Sequence, residues 1–221
     1  MKHILWFSAA LVLAIAAVPA ARAADAVPHL APDDIVLGKA EAPITIFEYA
    51  SLTCPHCAEF DQDTFPEVKK NWIDPGKAKL VFRDYPLDQY ALKAAMVAHC
   101  APPDRFFAFI DVLFREQANW AAAGNADQVT EALSRIARLG GISEQKFNTC
   151  IADKALSDRI LNERLVAQNQ YGVDSTPTFF INGKKIVGAL PYDQFSKDLN
   201  AAAAASGALH FGEAAPPHPS E

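Results

Sequence analysis

Short runs of β-branched and aromatic residues alternate along this chain with long stretches in which apolar residues recur every three or four positions. The first such run, "ITIFEY" (44–49), predicts a strand whose start is fixed by Pro43. The stretch from Cys54 to Lys70 predicts a helix with Pro55 in its first turn, where a missing N–H costs nothing. Pro66 is expected to kink or interrupt it. "KLVFRDY" (79–85) predicts a second strand, closed by Pro86. From Asp88 to about Tyr171 the spacing is helical throughout, in "ALKAAMVAHC", "FFAFIDVLF", "VTEALSRIARL" and "LSDRILNERLVAQ". Pro102-Pro103 and Gly140-Gly141 divide this block into separate helices. "TFFIN" (178–182) and "KIVGA" (185–189) predict two strands joined at Asn182-Gly183, a strong hairpin signal. "YDQFSKDLNAAAAA" (192–205) predicts a last helix.

With the helical block set aside, the order is strand, helix, strand, hairpin, helix. That is the order of a thioredoxin fold. The expected class is α/β: a thioredoxin fold with an inserted helical domain. Residues 24–87 and 172–206 would form the thioredoxin-like domain and 88–171 the insertion. Residues 24–33 read as an extended lead-in, and 207–221, with Pro216, Pro217 and Pro219, as a disordered tail.

The start of the chain sets the compartment. Lys2, an apolar stretch from Ile4 to Val18 and "ARA" at 21–23 are the three parts of a secretory signal peptide. The alternative is a membrane anchor, but the apolar stretch is short of the ~20 residues a spanning helix needs. Cleavage after Ala23 is expected, giving a periplasmic protein. The remaining 198 residues carry 26 acids against 18 Lys and Arg, a formal charge of −8. That balance argues against nucleic acid as a partner, because phosphate backbones are bound by clustered positive charge. With 51% hydrophobic residues the chain can build a full core. Four cysteines are few for a disulfide-stapled scaffold.

Two of those cysteines stand in "SLTCPHCAEF" (51–60), where Cys54 follows the first predicted strand and opens the first helix. A Cys-x-x-Cys pair can hold a metal, act as a staple or shuttle electrons. Structural zinc takes four ligands, usually from two paired motifs, and here Cys100 and Cys150 stand alone. Haem attachment needs His directly after the second cysteine, and residue 58 is Ala. No metal is expected. A redox dithiol fits better. A helix N-terminus stabilises a thiolate at Cys54, and Cys57, one turn further in, can resolve a mixed disulfide. His56 can supply a charge or donor beside the sulfur, or can be a surface residue of the loop.

Three further features carry candidate chemistry. Glu48 shares a strand face with Ile44 and Ile46, so it is either a buried acid beneath the dithiol that accepts protons from Cys57, directly or through water, or an edge residue reaching solvent. Thr176-Pro177 precedes the hairpin; a proline there either demands a special backbone or marks an ordinary strand start. In an oxidising compartment the leftover Cys100 and Cys150 are expected to pair, the alternative being two buried free thiols.

"APITIFEYASLTCPHC" (42–57), "FRDYPL" (82–87) and "GVDSTPTFFINGKKIVGALP" (172–191) together resemble the DsbA family of exported bacterial thiol:disulfide oxidoreductases, in particular its Com1-like branch. The resemblance implies that Cys54 is the nucleophile and Cys57 the resolving cysteine, in a Cys-Pro-His-Cys site whose Pro55 and His56 tune the redox potential. It implies that Glu48 is the buried acid, that Pro177 is cis and packs on the dithiol, and that the Thr176 backbone pairs with a bound substrate strand. Thr before that proline departs from the Val of the enterobacterial enzyme. The partners implied are newly exported proteins with free thiols and a membrane quinone-linked reoxidant. No bound cofactor is required, and with no dimerisation domain before the first strand a monomer is expected. Two other readings of the same fold stand beside this oxidase. One is a reductase or isomerase kept reduced by another protein; the other is a non-catalytic peptide-binding chaperone or surface protein.

Overall fold

The computed structural model describes residues 26–207. The signal peptide and nearly all of the C-terminal tail expected from the sequence lie outside the described residues. Among the described residues no helix is long and apolar enough to cross a membrane.

The five-stranded sheet has the order β1-β3-β2-β4-β5. Its centre is β2 (Ile44–Ala50), parallel to β3 (Ala78–Asp84) and antiparallel to β4 (Thr178–Ile181). β5 (Lys184–Val187) closes the hairpin with β4, and β1 (Val36–Leu37) pairs antiparallel with β3 at the other edge. Nothing in the periodicity marks β1, because two residues are too few to show an alternation. Between β4 and β5, Asn182 (φ 45°) and Gly183 (φ 89°) both adopt positive φ, the requirement of a type I′ turn. The Asn182 side chain also accepts a 2.8 Å bond from the Thr45 N–H, tying the hairpin to the start of β2.

Helices cover both faces of the sheet. The chain after β2 runs as one helical stretch: α1 (Pro55–Glu59), a π-helical turn (Phe60–Thr64), α2 (Phe65–Val68) and a second π-helical turn (Lys69–Ile73). The α-helix is thus interrupted ahead of Pro66, as expected, but by a π-turn rather than a break. The first π-turn pairs the Phe65 N–H with the Phe60 carbonyl, so Pro66 falls at the start of a fresh α-segment, where its missing N–H is tolerated. This stretch and α9 (Tyr192–Ala205) bury Ile44, Ile46 and Phe179 under Phe60, Trp72, Phe195 and Leu199. The opposite face, with Phe47, Tyr49 and Phe180, packs on Ala167 and Val173.

The helical block between β3 and β4 comprises α3 (Gln89–His99), α4 (Phe106–Arg115), α5 (Gln117–Trp120), α6 (Ala126–Leu139), α7 (Glu144–Ile151) and α8 (Lys154–Gln170). Side chains cap several of these starts: Asp88 for α3, a full capping box of Asn125 and Gln128 for α6, and Asp153 for α8. The block packs around Phe106, Leu113, Phe114, Trp120, Leu133 and Phe147. Cys54, Cys57 and Ala58 belong to this same core, so the start of α1 lies at the seam between sheet and helical block. Cys100, just past α3, is disulfide-bonded to Cys150 of α7, with their Cα atoms 6.1 Å apart.

Candidate active site

Cys54 is the N-cap of α1, with extended backbone (φ −80°, ψ 120°), and Pro55 occupies the first turn. No side-chain oxygen caps this helix. The cysteine sulfur stands where a serine or aspartate oxygen would, beside the backbone N–H groups of the first turn. Both Cys54 and Cys57 are free thiols. Cys54 is 6% exposed and Cys57 is completely buried.

Their acidities are driven apart. Cys54 falls from an ordinary 9.0 to about 5, chiefly because the Cys57 thiol donates a hydrogen bond to its sulfur. Burial opposes the fall, and the Thr176 side chain and the backbone N–H groups of Cys57 and His56 reinforce it. Burial and the adjacent Cys54 sulfur push the Cys57 thiol well above its ordinary range. The pair thus holds one easily ionised, reachable sulfur and one reluctant, enclosed sulfur.

His56 meets the sulfur through its main chain. Its imidazole is largely exposed and turned to Glu59, with Nδ1 3.0 Å from Oε2. That hydrogen bond raises the imidazole pKa.

Glu48 lies on central strand β2, between Phe82 of β3 and Phe179 of β4, on the face it shares with Ile44 and Ile46. It is 4% exposed, and burial, followed by the charge of Asp61, raises it from 4.5 to about 8. Its own charge is among the influences that raise Cys57. Asp61, one helical turn beyond Cys57, escaped the sequence reading. Burial and Asp111 raise it to about 7, against the pull of Arg115. Its spacing of four from Cys57 is the signal that would have marked it.

The loop before β4 closes the site from the far end of the chain. The Thr176–Pro177 peptide is cis. The Cys54 thiol donates to the Thr176 carbonyl at 3.3 Å. The Thr176 hydroxyl is buried with no other hydrogen-bond partner, which leaves it for the same sulfur. A second unforeseen residue is Gln117, at the start of α5, whose side-chain amide donates to the carbonyls of Leu52 and Cys54 at 2.9 and 3.0 Å. Nothing in its local sequence singles it out. Cys100 and Cys150 form their own bridge within the helical block, apart from the dithiol.

Comparison with known proteins agrees with this geometry. A family model described as thioredoxin matches residues 30–201. A candidate protein-disulfide oxidoreductase of Rickettsia prowazekii is 36% identical over 153 residues, covering 68% of this chain and 55% of that protein. The chain thus spans about half the length of the Rickettsia relatives it matches. Disulfide bond formation protein D of Bacillus subtilis is 27% identical, with 74% of each chain covered. Among solved structures, Wolbachia pipientis alpha-DsbA1 superposes with a TM-score of 0.74 at 35% identity, covering 82% of this chain and 96% of that one. A thioredoxin-fold architecture, a dithiol at the first helix start and this degree of shared sequence place the chain in the DsbA family of protein-disulfide oxidoreductases.

Proposed function

We propose that this protein is an exported oxidase that donates the Cys54–Cys57 disulfide to newly secreted proteins. The observation that carries the reading is the opposed acidity of the two thiols at one helix start. A sulfur held near 5 is a good leaving group and a stable thiolate, which favours the reduced form of the site and makes its disulfide oxidising.

The chemistry follows from access and acidity. In the oxidised protein a substrate thiolate attacks Cys54, since Cys57 is fully enclosed. A substrate–Cys54 bond forms, the Cys54–Cys57 bond breaks, and its electron pair goes to the Cys57 sulfur. Cys57 then takes a proton, for which Glu48 is the buried source, since a carboxyl near 8 is still protonated at pH 7. A second substrate thiolate attacks the substrate sulfur of the mixed disulfide and expels Cys54 as a thiolate. Two electrons pass from substrate to protein, and a quinone-linked membrane partner is the proposed acceptor that restores the disulfide. The substrate strand is proposed to lie along the Thr176 backbone, adding its main chain to that of the loop. Export rests on the leader at 1–23; the acidic balance supports protein rather than nucleic acid as substrate, and a monomer suffices for the chemistry.

The test is transfer to a reduced, unfolded protein with known disulfides. Oxidised wild type is expected to restore them stoichiometrically while its own thiols become free, and Cys54→Ser to restore none. If equilibration with glutathione leaves wild type mostly oxidised under conditions that also oxidise thioredoxin, the site is a reductant and the oxidase reading falls.

A further inference from the structure

We infer that Gln117 is a positioning residue for the redox site, through which the helical block sets the acidity of Cys54. The inference rests on the proposed function, in which Cys54 is the sulfur that exchanges with substrate.

The geometry is specific. A glutamine amide nitrogen carries two hydrogens, and here one goes to Leu52 O at 2.9 Å and the other to Cys54 O at 3.0 Å. The two carbonyls flank Thr53, so a single side chain clamps the last turn of backbone before α1. The clamp comes from across a domain seam: Gln117 is 63 residues from Cys54 in sequence, at the junction of α4 and α5. The Cys54 carbonyl is also where the helix begins, accepting from the Cys57 N–H at 3.1 Å and the Ala58 N–H at 3.2 Å. Fixing that carbonyl fixes the peptide plane between Cys54 and Pro55. It thereby fixes where the sulfur stands against the N–H groups of His56 and Cys57 that help hold its charge.

The consequence for chemistry is directional. The N–H groups that face the sulfur are held by the backbone and cannot follow it if it shifts. Hydrogen bonds to an ion lose strength steeply with misalignment. Loosening the clamp therefore weakens thiolate stabilisation more than it weakens the neutral thiol. Cys54 then becomes less acidic and the disulfide less oxidising. Gln62, whose amide reaches the Phe114 carbonyl at 3.4 Å, ties the active-site helix to α4 without touching the Cys54 carbonyl, and so serves as a control for simple cross-linking of the two parts.

The experiment is titration of the thiolate by its ultraviolet absorbance in reduced wild type, Gln117→Leu, Gln117→Asn, Gln117→Lys and Gln62→Leu, together with each protein's equilibrium with glutathione. Gln117→Leu removes both donors, and Gln117→Asn is too short to reach both carbonyls. Each is expected to lower the thiolate formation constant about fivefold, the size of one net hydrogen bond, and to shift the glutathione equilibrium by a similar factor. Gln117→Lys keeps donors at the tip and is expected to titrate at or below wild type; Gln62→Leu is expected to titrate as wild type. If wild type itself lacks an acidic thiol, the reading of Cys54 fails. If wild type has one and Gln117→Leu and Gln117→Asn leave it unmoved, or if Gln62→Leu shifts it equally, the positioning role is overturned. Should Gln117→Leu not fold, Gln117→Asn and Gln117→Lys still decide between these outcomes.

Discussion

The Cys54 sulfur lies 3.3 Å from the Thr176 carbonyl oxygen, a contact between residues 122 positions apart. It joins the first helix start to the loop before the hairpin, so the dithiol and the proposed substrate-pairing backbone meet at one point. A peptide whose cysteine reaches Cys54 is therefore already beside the Thr176 main chain.

The first prediction concerns which thiol reacts. In reduced protein at pH 6, above the value near 5 held by Cys54, rapid alkylation is expected at Cys54 alone. Peptide mapping that finds Cys57 labelled first would reverse the assigned roles. Cys57→Ser should accumulate mixed disulfides with substrates that offer no second thiol, because the internal thiol that could return to Cys54 and release them is gone.

Reduced protein should resist denaturant better than oxidised protein at neutral pH. Cys54 is depressed in the folded state, so its contribution is full above the unfolded value of about 9 and vanishes as pH falls through about 5. At pH 7 the thiolate contributes on the order of 3 kcal/mol. Paired urea melts of the two forms from pH 7 to pH 4 should show the gap closing. An oxidised form that is the more stable at pH 7 would sink the strong-oxidant reading.

Glu48 should act with the opposite sign. Its folded value is raised to about 8, so the fold is undisturbed below its unfolded value near 4.5 and loses stability as pH climbs toward 8. Glu48→Gln should therefore gain stability relative to wild type between pH 5 and pH 8, by on the order of 3 kcal/mol at pH 7. It should also slow disulfide exchange, since Cys57 loses its buried proton source. Melting curves whose difference does not change with pH would rule out a buried, proton-holding Glu48.

The Cys100–Cys150 bridge spans 50 residues, and losing it should cost about 4 kcal/mol on the chain-entropy account. Cys100→Ala with Cys150→Ala should melt at lower denaturant yet keep its Cys54 titration. Mass spectrometry of protein taken from the exporting compartment would refute the bridge if both residues carried free thiols.

Local patterns were enough for the frame. The alternation in "ITIFEY", the helical spacing from Asp88 onward and Asn182-Gly183 each act over a few residues, so they placed the strands, the helical block and the I′ turn close to where they stand. The placement of Cys54 at a helix start was legible for the same reason: strand, cysteine, proline and apolar period are contiguous. What escaped depends on contacts between distant segments. β1 exists because β3 offers an edge, not because Val36–Leu37 has a pattern of its own. Pro66 sits comfortably because a π-turn forms ahead of it. The direction of the His56 ring is decided by Glu59, and the acidity of Glu48 by the aromatic neighbours and helices that exclude water around it. Gln117 is the clearest case: no local rule distinguishes one glutamine among several on helical segments. Only the docking of α5 against the loop before α1 brings its amide to two backbone carbonyls. Short-range chemistry singled out the candidate sulfur, and long-range packing set the environment around it.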